Sequence, residues 1–458
     1  AYSNHSLFRL TGSFFNPGPY SGYLAITLPV ALGILLEQSK RNMPYYLSMG
    51  CIGTAIVVLP AGMSRSAWIA VVVSCAWVYA LYRLDRKQAA TRLRQHKRWY
   101  IIGGILGGIL LLGGSASLYT LKKDSADGRF LMWKITTKAI QKQPITGTSL
   151  GGFPAAYAET QAEYMASGKA TEQEKLVAGC PEYAFNEYLQ IGLEQGLVGL
   201  ALFIGWLGLL FYKGIKNKRY ACCGGLMSLA IFAFSSYPLQ LPEFWVVLIF
   251  LGVMSVTPDK DEIRENQAES NGHRWGKQIF FMGIAILGIG LFWMQKDHYK
   301  AYQQWNKAQM FYNNKAYEAA LEVYEPLYPL LKHKPEFLFE VAQCLSKTGR
   351  YEKANGYLER AVLLSSDPML YYVMAKNEQC LGEYRQAEKH LLHAIDILPE
   401  RIYPYYLLMN LYTEPSYFQP AKLKMAIDSV LTKKPKVESS AIKEMKEKAR
   451  SMLNNTSI

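Results

Sequence analysis

Five side chains in this chain could do chemistry beyond an ordinary helical core: Arg65, Arg129, Asn186, Glu187 and Glu194. Arg65 is the only charge in the short turn around MSRSAW, and Arg129 lies in DGRFLMWKITTKAIQKQP. A guanidinium offers a rigid fork of donors that matches phosphate oxygens, so two of them suit an anionic lipid or diphosphate. In NEYLQIGLEQGLVGL, Glu187, Gln190 and Glu194 fall at i, i+3 and i+7, on one helix face. Asn186 and Gln190 are expected to pair at i,i+4. A carboxylate on that face can accept a hydroxyl proton. Plainer readings stand beside these: an arginine at a membrane boundary can snorkel, and a buried Glu can pair with Arg65 or Arg129.

The elements that must position them lie mostly in 121–199, a long polar segment set between apolar runs. Asp127 reads as the N-cap of an amphipathic helix. Arg129 and Trp133 would share one face of it, and Leu131, Ile135 and Ala139 the other. PITGTSLGGF reads as a glycine-rich bend, since it lacks the strand context of a nucleotide loop. Glu194 would lie one or two turns into the apolar span that follows. Upstream, TGSFFNPGPYSGYLA is a helix-entry turn, with Gly22 suited to close packing.

A hydrocarbon core of roughly 30 Å needs about 20 apolar helical residues. Eight candidate spans result: 20–36, 44–62, 66–82, 100–120, 187–212, 220–237, 242–256 and 278–294. The loops EQSKRN, RLDRKQAATRLRQHKR and KGIKNKR all fall on one side if the spans alternate, and short basic loops stay cytoplasmic. The segment 1–19, the loop 121–186, the turn YPLQLPE and residues 297–458 then face the periplasm. The mixed loop 257–277 is the weakest fit. No soluble nucleotide pool exists on that side, so an enzyme there needs a donor already activated in the membrane.

Residues 297–458 contain an internal repeat. Tyr317, Tyr351, Tyr384 and Phe418 recur at steps of 34, 33 and 34 residues, as do Ala320, Ala354, Ala387 and Ala421. Pro335, Pro368 and Pro399 punctuate the helix ends. The pattern resembles the tetratricopeptide repeat, whose units stack into a solenoid with a concave surface. MLYYVMAK and RIYPYYLLMN either line that surface or pack between repeats. His333, His390 and His393 read as surface or core residues rather than ligands.

Composition bounds the rest. The formal net charge of +14 could point to nucleic acid, but Lys and Arg cluster in loops between apolar runs, so no nucleic-acid partner is expected. Of seven Cys, four (Cys51, Cys75, Cys222 and Cys223) lie in apolar runs. Cys180, Cys344 and Cys380 fall outside them, no CxxC occurs, and no metal or cofactor is expected. The first residue is Ala and no signal-peptide pattern follows it, which is consistent with a truncated form of a longer protein. The expected fold is all-α: a polytopic bundle over 20–294, then the α-solenoid.

At GSFFNPGPYSGYLA, SRSAW, GRFLMWKITTKAIQKQPITGTSLGGF and FNEYLQIGLEQGLVGL the chain resembles the O-antigen ligase and O-antigen polymerase superfamily of bacterial inner-membrane glycosyltransferases. The resemblance covers about 11–255 and implies glycan transfer from undecaprenyl diphosphate to a periplasmic acceptor, most simply as an O-antigen ligase. It gives the diphosphate-binding role to Arg65 and Arg129 and points to Asn186, Glu187 and Glu194 as catalytic. The family's His before the Asn-Glu pair is replaced by Phe185, and no His lies between His96 and His273. Glu187, Glu182 or His5 would then serve as base, or none is needed. The acceptor could be lipid A core, the growing glycan or a protein hydroxyl, and the repeats suit a protein partner. An inert membrane scaffold and a transporter are the rival classes; a transporter would show paired broken spans with midplane charges.

Overall fold

The computed structural model describes residues 10–14, 16–38, 41–85, 123–258, 274–435 and 438–455. Among these residues every regular element is helical. The chain divides into two compact units, 1–129 with 143–147 and 183–271, and 130–142 with 148–182 and 272–458.

In the first unit, α1 (Pro17–Glu37) starts at Asn16, whose side chain accepts from the Gly18 N–H. Next come α2 (Met43–Val58), a short 3-10 turn (Leu59–Gly62) and α3 (Arg65–Asp85), so Arg65 is the first residue of its helix. The apolar helices α8 (Gly196–Lys216), α9 (Tyr220–Ala233) and α10 (Pro242–Val256) complete the bundle. Ala25, Ile26, Ala67, Leu226, Phe232 and Phe244 pack in its core. Gly22 lies against the Phe232 ring, the close approach that its sequence context predicts.

Among the described residues, four helices are long and apolar enough to cross a membrane by length and composition: Pro17–Glu37, Met43–Gly62, Arg65–Leu84 and Gly196–Lys216. Tyr220–Ala233 and Pro242–Val256 are shorter apolar helices. The expected span at 100–120 lies outside the described residues, and that at 278–294 falls within α11 (Arg274–Met294). Three of the eight expected spans, 20–36, 44–62 and 66–82, are therefore found at full length, and the fourth candidate, Gly196–Lys216, covers only the later part of the expected 187–212. The expected span at 187–212 is corrected. It is a short helix, α7 (Glu187–Glu194), followed by a break and then α8, so Glu194 precedes the span rather than entering it.

Backbone fit makes the break. Gly196 has φ +70° and Gly147, in the bend of 143–147, has φ +69°. A Cβ on either would strike the other's backbone neighbourhood: Ile145 carbonyl for Gly196, Glu194 and Gly196 for Gly147. Leu197 N–H also donates to the Pro144 carbonyl at 2.8 Å. Only glycine tolerates both the left-handed conformation and the contact.

The helix α4 (Lys123–Lys142) starts four residues before Asp127, so Asp127 is inside it rather than its cap. Leu131, Ile135 and Ala139 are buried as their spacing predicts. In the second unit they accompany α5 (Phe153–Ala166) and α6 (Glu172–Val177). The helix α6 opens on a capping box between Thr171 and Glu174.

The repeats run through α12 (Lys296–Asn313), α13 (Tyr317–Tyr324), a short α14 (Tyr328–Leu331), α15 (Pro335–Lys347), α16 (Tyr351–Val362), α17 (Met369–Leu381) and α18 (Tyr384–Ile397). They end in α19 (Ile402–Leu411), α20 (Pro420–Thr432) and α21 (Ser440–Asn455). Tyr317, Tyr351 and Tyr384 each open a helix, and Ala320, Ala354 and Ala387 are fully buried. The fourth unit departs. Ala421 is exposed, and the buried Leu423, Ile427 and Val430 stand 36 residues after Ala387, Leu391 and Ala394. The turn Pro415–Tyr417 takes up the shift in phase. Tyr372 and Tyr403 meet edge to face at 5.3 Å, which is packing between repeats.

Candidate functional site

Asn186 is the N-cap of α7, its side chain accepting from the Tyr188 and Leu189 N–H groups at 3.1 Å each. It therefore does not pair with Gln190. Gln190 instead accepts from the Ala184 N–H at 2.9 Å and donates to Glu194 at 3.2 Å, and both Gln190 and Glu194 are buried. The predicted face of Glu187, Gln190 and Glu194 thus exists, turned inward.

Glu187 is 1% exposed. One of its oxygens accepts from the Leu239 N–H at 2.6 Å and the other from the Gln240 side-chain amide at 3.0 Å. Burial pushes its carboxyl up to about 7, against the pull of the Gln240 and Leu239 donors, with the nearby Glu194 charge adding to the rise. Trp245 donates to the Leu239 carbonyl at 2.7 Å, so the 3-10 turn Pro238–Gln240 is gripped from two sides.

That turn carries Tyr237 at its head. Tyr237 stacks on Tyr183 at 5.3 Å, meets Phe185 edge-on at 4.9 Å, and its hydroxyl accepts from the Asn16 side-chain amide at 3.1 Å. Phe185 has φ +49°, the left-handed region that a bulky residue enters only when its surroundings demand it. The Arg129 guanidinium lies 5.4 Å from the centre of the Phe185 ring, a cation–π contact.

Arg129 is held below the usual arginine range, first by its own burial and then by the Arg65 guanidinium, with Tyr237 opposing. Two like charges within electrostatic reach of each other are an arrangement an anion relieves. An apolar groove of about 410 Å³ is lined by Ser66, the residue that follows Arg65 in the chain, with Ile69, Tyr188, Ile231 and Phe234. Arg65 and Arg129 are thus brought together, while Glu187 reaches a turn that sequence reasoning did not single out. Asn16, Tyr183, Tyr237 and Gln240 were missed. The available signal was a Tyr and a Gln in the turn YPLQLPE, between two apolar runs. Glu182 is exposed, and His5 lies outside the described residues.

Among the described residues, helices fit to cross a membrane accompany a site of paired arginines with a buried carboxylate, and one family match supports a membrane function of the glycan ligase or polymerase type. Residues 50–204 match the family model described as O-antigen ligase. The matched stretch contains Arg65, Arg129, Asn186, Glu187 and Glu194. Residues 313–394 match the model described as anaphase-promoting complex, cyclosome, subunit 3, a tetratricopeptide-like array. A solved structure titled "Crystal structure of MamA protein" is 16% identical, covering 34% of this chain and 88% of its own, with a TM-score of 0.25. No curated protein matches the chain.

Proposed function

We propose that the first unit transfers a glycan from a polyprenyl diphosphate donor to an acceptor hydroxyl, most simply as an O-antigen ligase of the bacterial inner membrane. The observation that carries this is the pair Arg65 and Arg129, electrostatically coupled, with an apolar groove beginning at Ser66. A diphosphate on a long apolar tail is the ligand that such a combination fits. The reaction is attack of the acceptor hydroxyl oxygen on the anomeric carbon as the bond to diphosphate breaks, with the hydroxyl proton passing to water or to the departing phosphate. The leaving group gains charge, and two guanidiniums stabilise it. Removing one preorganised donor of this kind costs about 2.7–4 kcal/mol.

Asn186, Glu187 and Glu194 serve here mainly as positioning residues. Asn186 starts α7, Gln190 and Glu194 brace it, and Glu187 latches the turn that bears Tyr237. Through Tyr237 and Phe185 that latch reaches the Arg129 guanidinium. In this reading the long loop and the repeats face the periplasm, because the basic loops of the sequence all fall on the other side.

The experiment is transfer by purified protein in lipid from a defined polyprenyl-diphosphate glycan, offered separately with lipid A core, free glycan and a protein acceptor. Product on the lipid A core supports the ligase. Product only on glycan or on protein replaces it with a polymerase or a protein glycosyltransferase. No product with any acceptor overturns glycan transfer.

A further inference from the structure

A cavity of about 750 Å³ opens in the second unit, within the roughly 300–1,000 Å³ range of ligand sites. Three of its walls come from successive repeats: Glu336 and Phe339 at the start of α15, the segment 365–372, and Arg401 with Tyr403 at the start of α19. The fourth wall is the end of the long loop, at Cys180 and Glu182.

That fourth wall is pinned from below. Gln161, fully buried, donates its side-chain amide to the Gly179 carbonyl at 3.1 Å and to the Ile397 carbonyl at 2.8 Å. Tyr157 donates to the Gln161 carbonyl oxygen at 2.7 Å. Ser366 donates to the Pro181 carbonyl at 3.1 Å. Buried hydrogen bonds therefore fix the loop on the repeats, and the cavity is a built feature rather than a gap between mobile segments.

The lining chemistry narrows the ligand. Two of its carboxylates are engaged within the fold. Glu340 accepts from Trp305, Gln309 and Tyr324, and Asp367 from the Met369 N–H. A cationic peptide would need those charges. Glu182 and Glu336 face the cavity as acceptors only, Arg401 as a donor only, and Phe339 and Tyr403 add rings. Sugar hydroxyls both donate and accept, so one saccharide can satisfy both kinds of group while its apolar face lies on a ring. An ammonium can satisfy only the acceptors.

We propose that this cavity binds a saccharide chain, from the donor or from the acceptor of the transfer reaction. The proposal rests on the glycan-transfer reading of the first unit. The full chain in lipid nanodiscs is titrated with three probes, followed by saturation-transfer NMR. They are core oligosaccharide from the host's lipopolysaccharide, glycan released by mild acid from its polyprenyl-diphosphate pool, and a lysine-rich peptide.

One of the two oligosaccharides is expected to bind, and which one binds identifies the source. Its affinity falls several-fold in the exposed-residue double variant Glu336→Gln with Arg401→Ala, and is unchanged in Arg129→Ala. Binding of neither oligosaccharide, binding that survives the double variant, or displacement by the peptide overturns the proposal. Transfer without cavity binding overturns this site alone. Cavity binding without transfer leaves the site standing and removes the transfer reading.

Discussion

Glu187 in the first unit and Glu174 in the second are each held by several donors, yet they stand on opposite sides of the ordinary carboxylate value. Burial raises both. At Glu174, Lys134, the Thr171 N–H and Tyr164 outweigh it and bring the carboxyl down to about 2. At Glu187 the donors are neutral amides, burial wins, and the carboxyl stands at about 7. Glu388 in the repeats repeats the first pattern: burial raises it, while Lys422, Tyr412 and Tyr417 bring it below the ordinary range. At Glu174 and Glu388 the second unit thus uses acids as ion-paired fasteners. The first keeps an acid buried without a salt-bridging lysine among its strongest influences, an expense that functional sites more often carry than structural ones.

The comparison breaks first at Arg129. Arg129→Ala is expected to lower transfer about 100- to 1,000-fold with the fold intact, measured as turnover beside the circular dichroism melt. An equal loss of melting temperature and turnover would make Arg129 a structural fastener like Lys134.

Gln161→Leu should do the reverse in the second unit. It leaves the Ile397 and Gly179 carbonyls buried without their donor, a cost of about 2–5 kcal/mol in denaturant unfolding. Hydrogen exchange across 153–166 should accelerate with it.

The shifted fourth repeat is tested by a pair. Ala354→Leu overfills a fully buried position and should cost about 1–3 kcal/mol. Ala421→Leu at an exposed position should stay within about 0.5 kcal/mol. Equal costs in thermal melts would restore the sequence phase.

Glu187→Gln keeps a carbonyl for the Leu239 N–H and should change transfer by less than about tenfold, whereas loss of a true proton acceptor costs about 100- to 10,000-fold. The native state favours protonated Glu187. Its stabilising contribution is therefore full below the ordinary carboxylate value and is lost as pH rises through about 7. Glu187→Gln should erase that loss in a stability–pH curve. Glu174 has the opposite sign: its contribution is present above the ordinary value and is lost as pH falls towards about 2. Because Glu174 is partly exposed and its partner Lys134 more so, solvent screening limits the pair, and Glu174→Gln should cost on the order of 1 kcal/mol at neutral pH.

What could be read from the sequence follows from distance along the chain. Leu131, Ile135 and Ala139, the inward acid face of α7, and the alanines of three repeats all obey local periods, and all are buried. Asn16 could not be found that way, because its partner Tyr237 is 221 residues distant. The same holds for Gln240, 53 residues from Glu187. The break before α8 was hidden for a related reason. The apolar run continues through it, and the cause is the backbone of a remote bend at Gly147 pressed on Glu194 and Gly196. Phe185 was legible as a departure from the resemblance, but its left-handed backbone and its place between Arg129 and Tyr237 required the fold.

The central claim is that Arg65 and Arg129, beside the groove at Ser66, recognise a diphosphate on an apolar tail. The direct measurement is affinity for undecaprenyl diphosphate against undecaprenol in nanodiscs, for the wild type and Arg129→Ala. The account predicts much tighter binding of the diphosphate by the wild type and most of that preference lost in the variant. Equal affinity for the two lipids, or a preference that Arg129→Ala leaves intact, would contradict it.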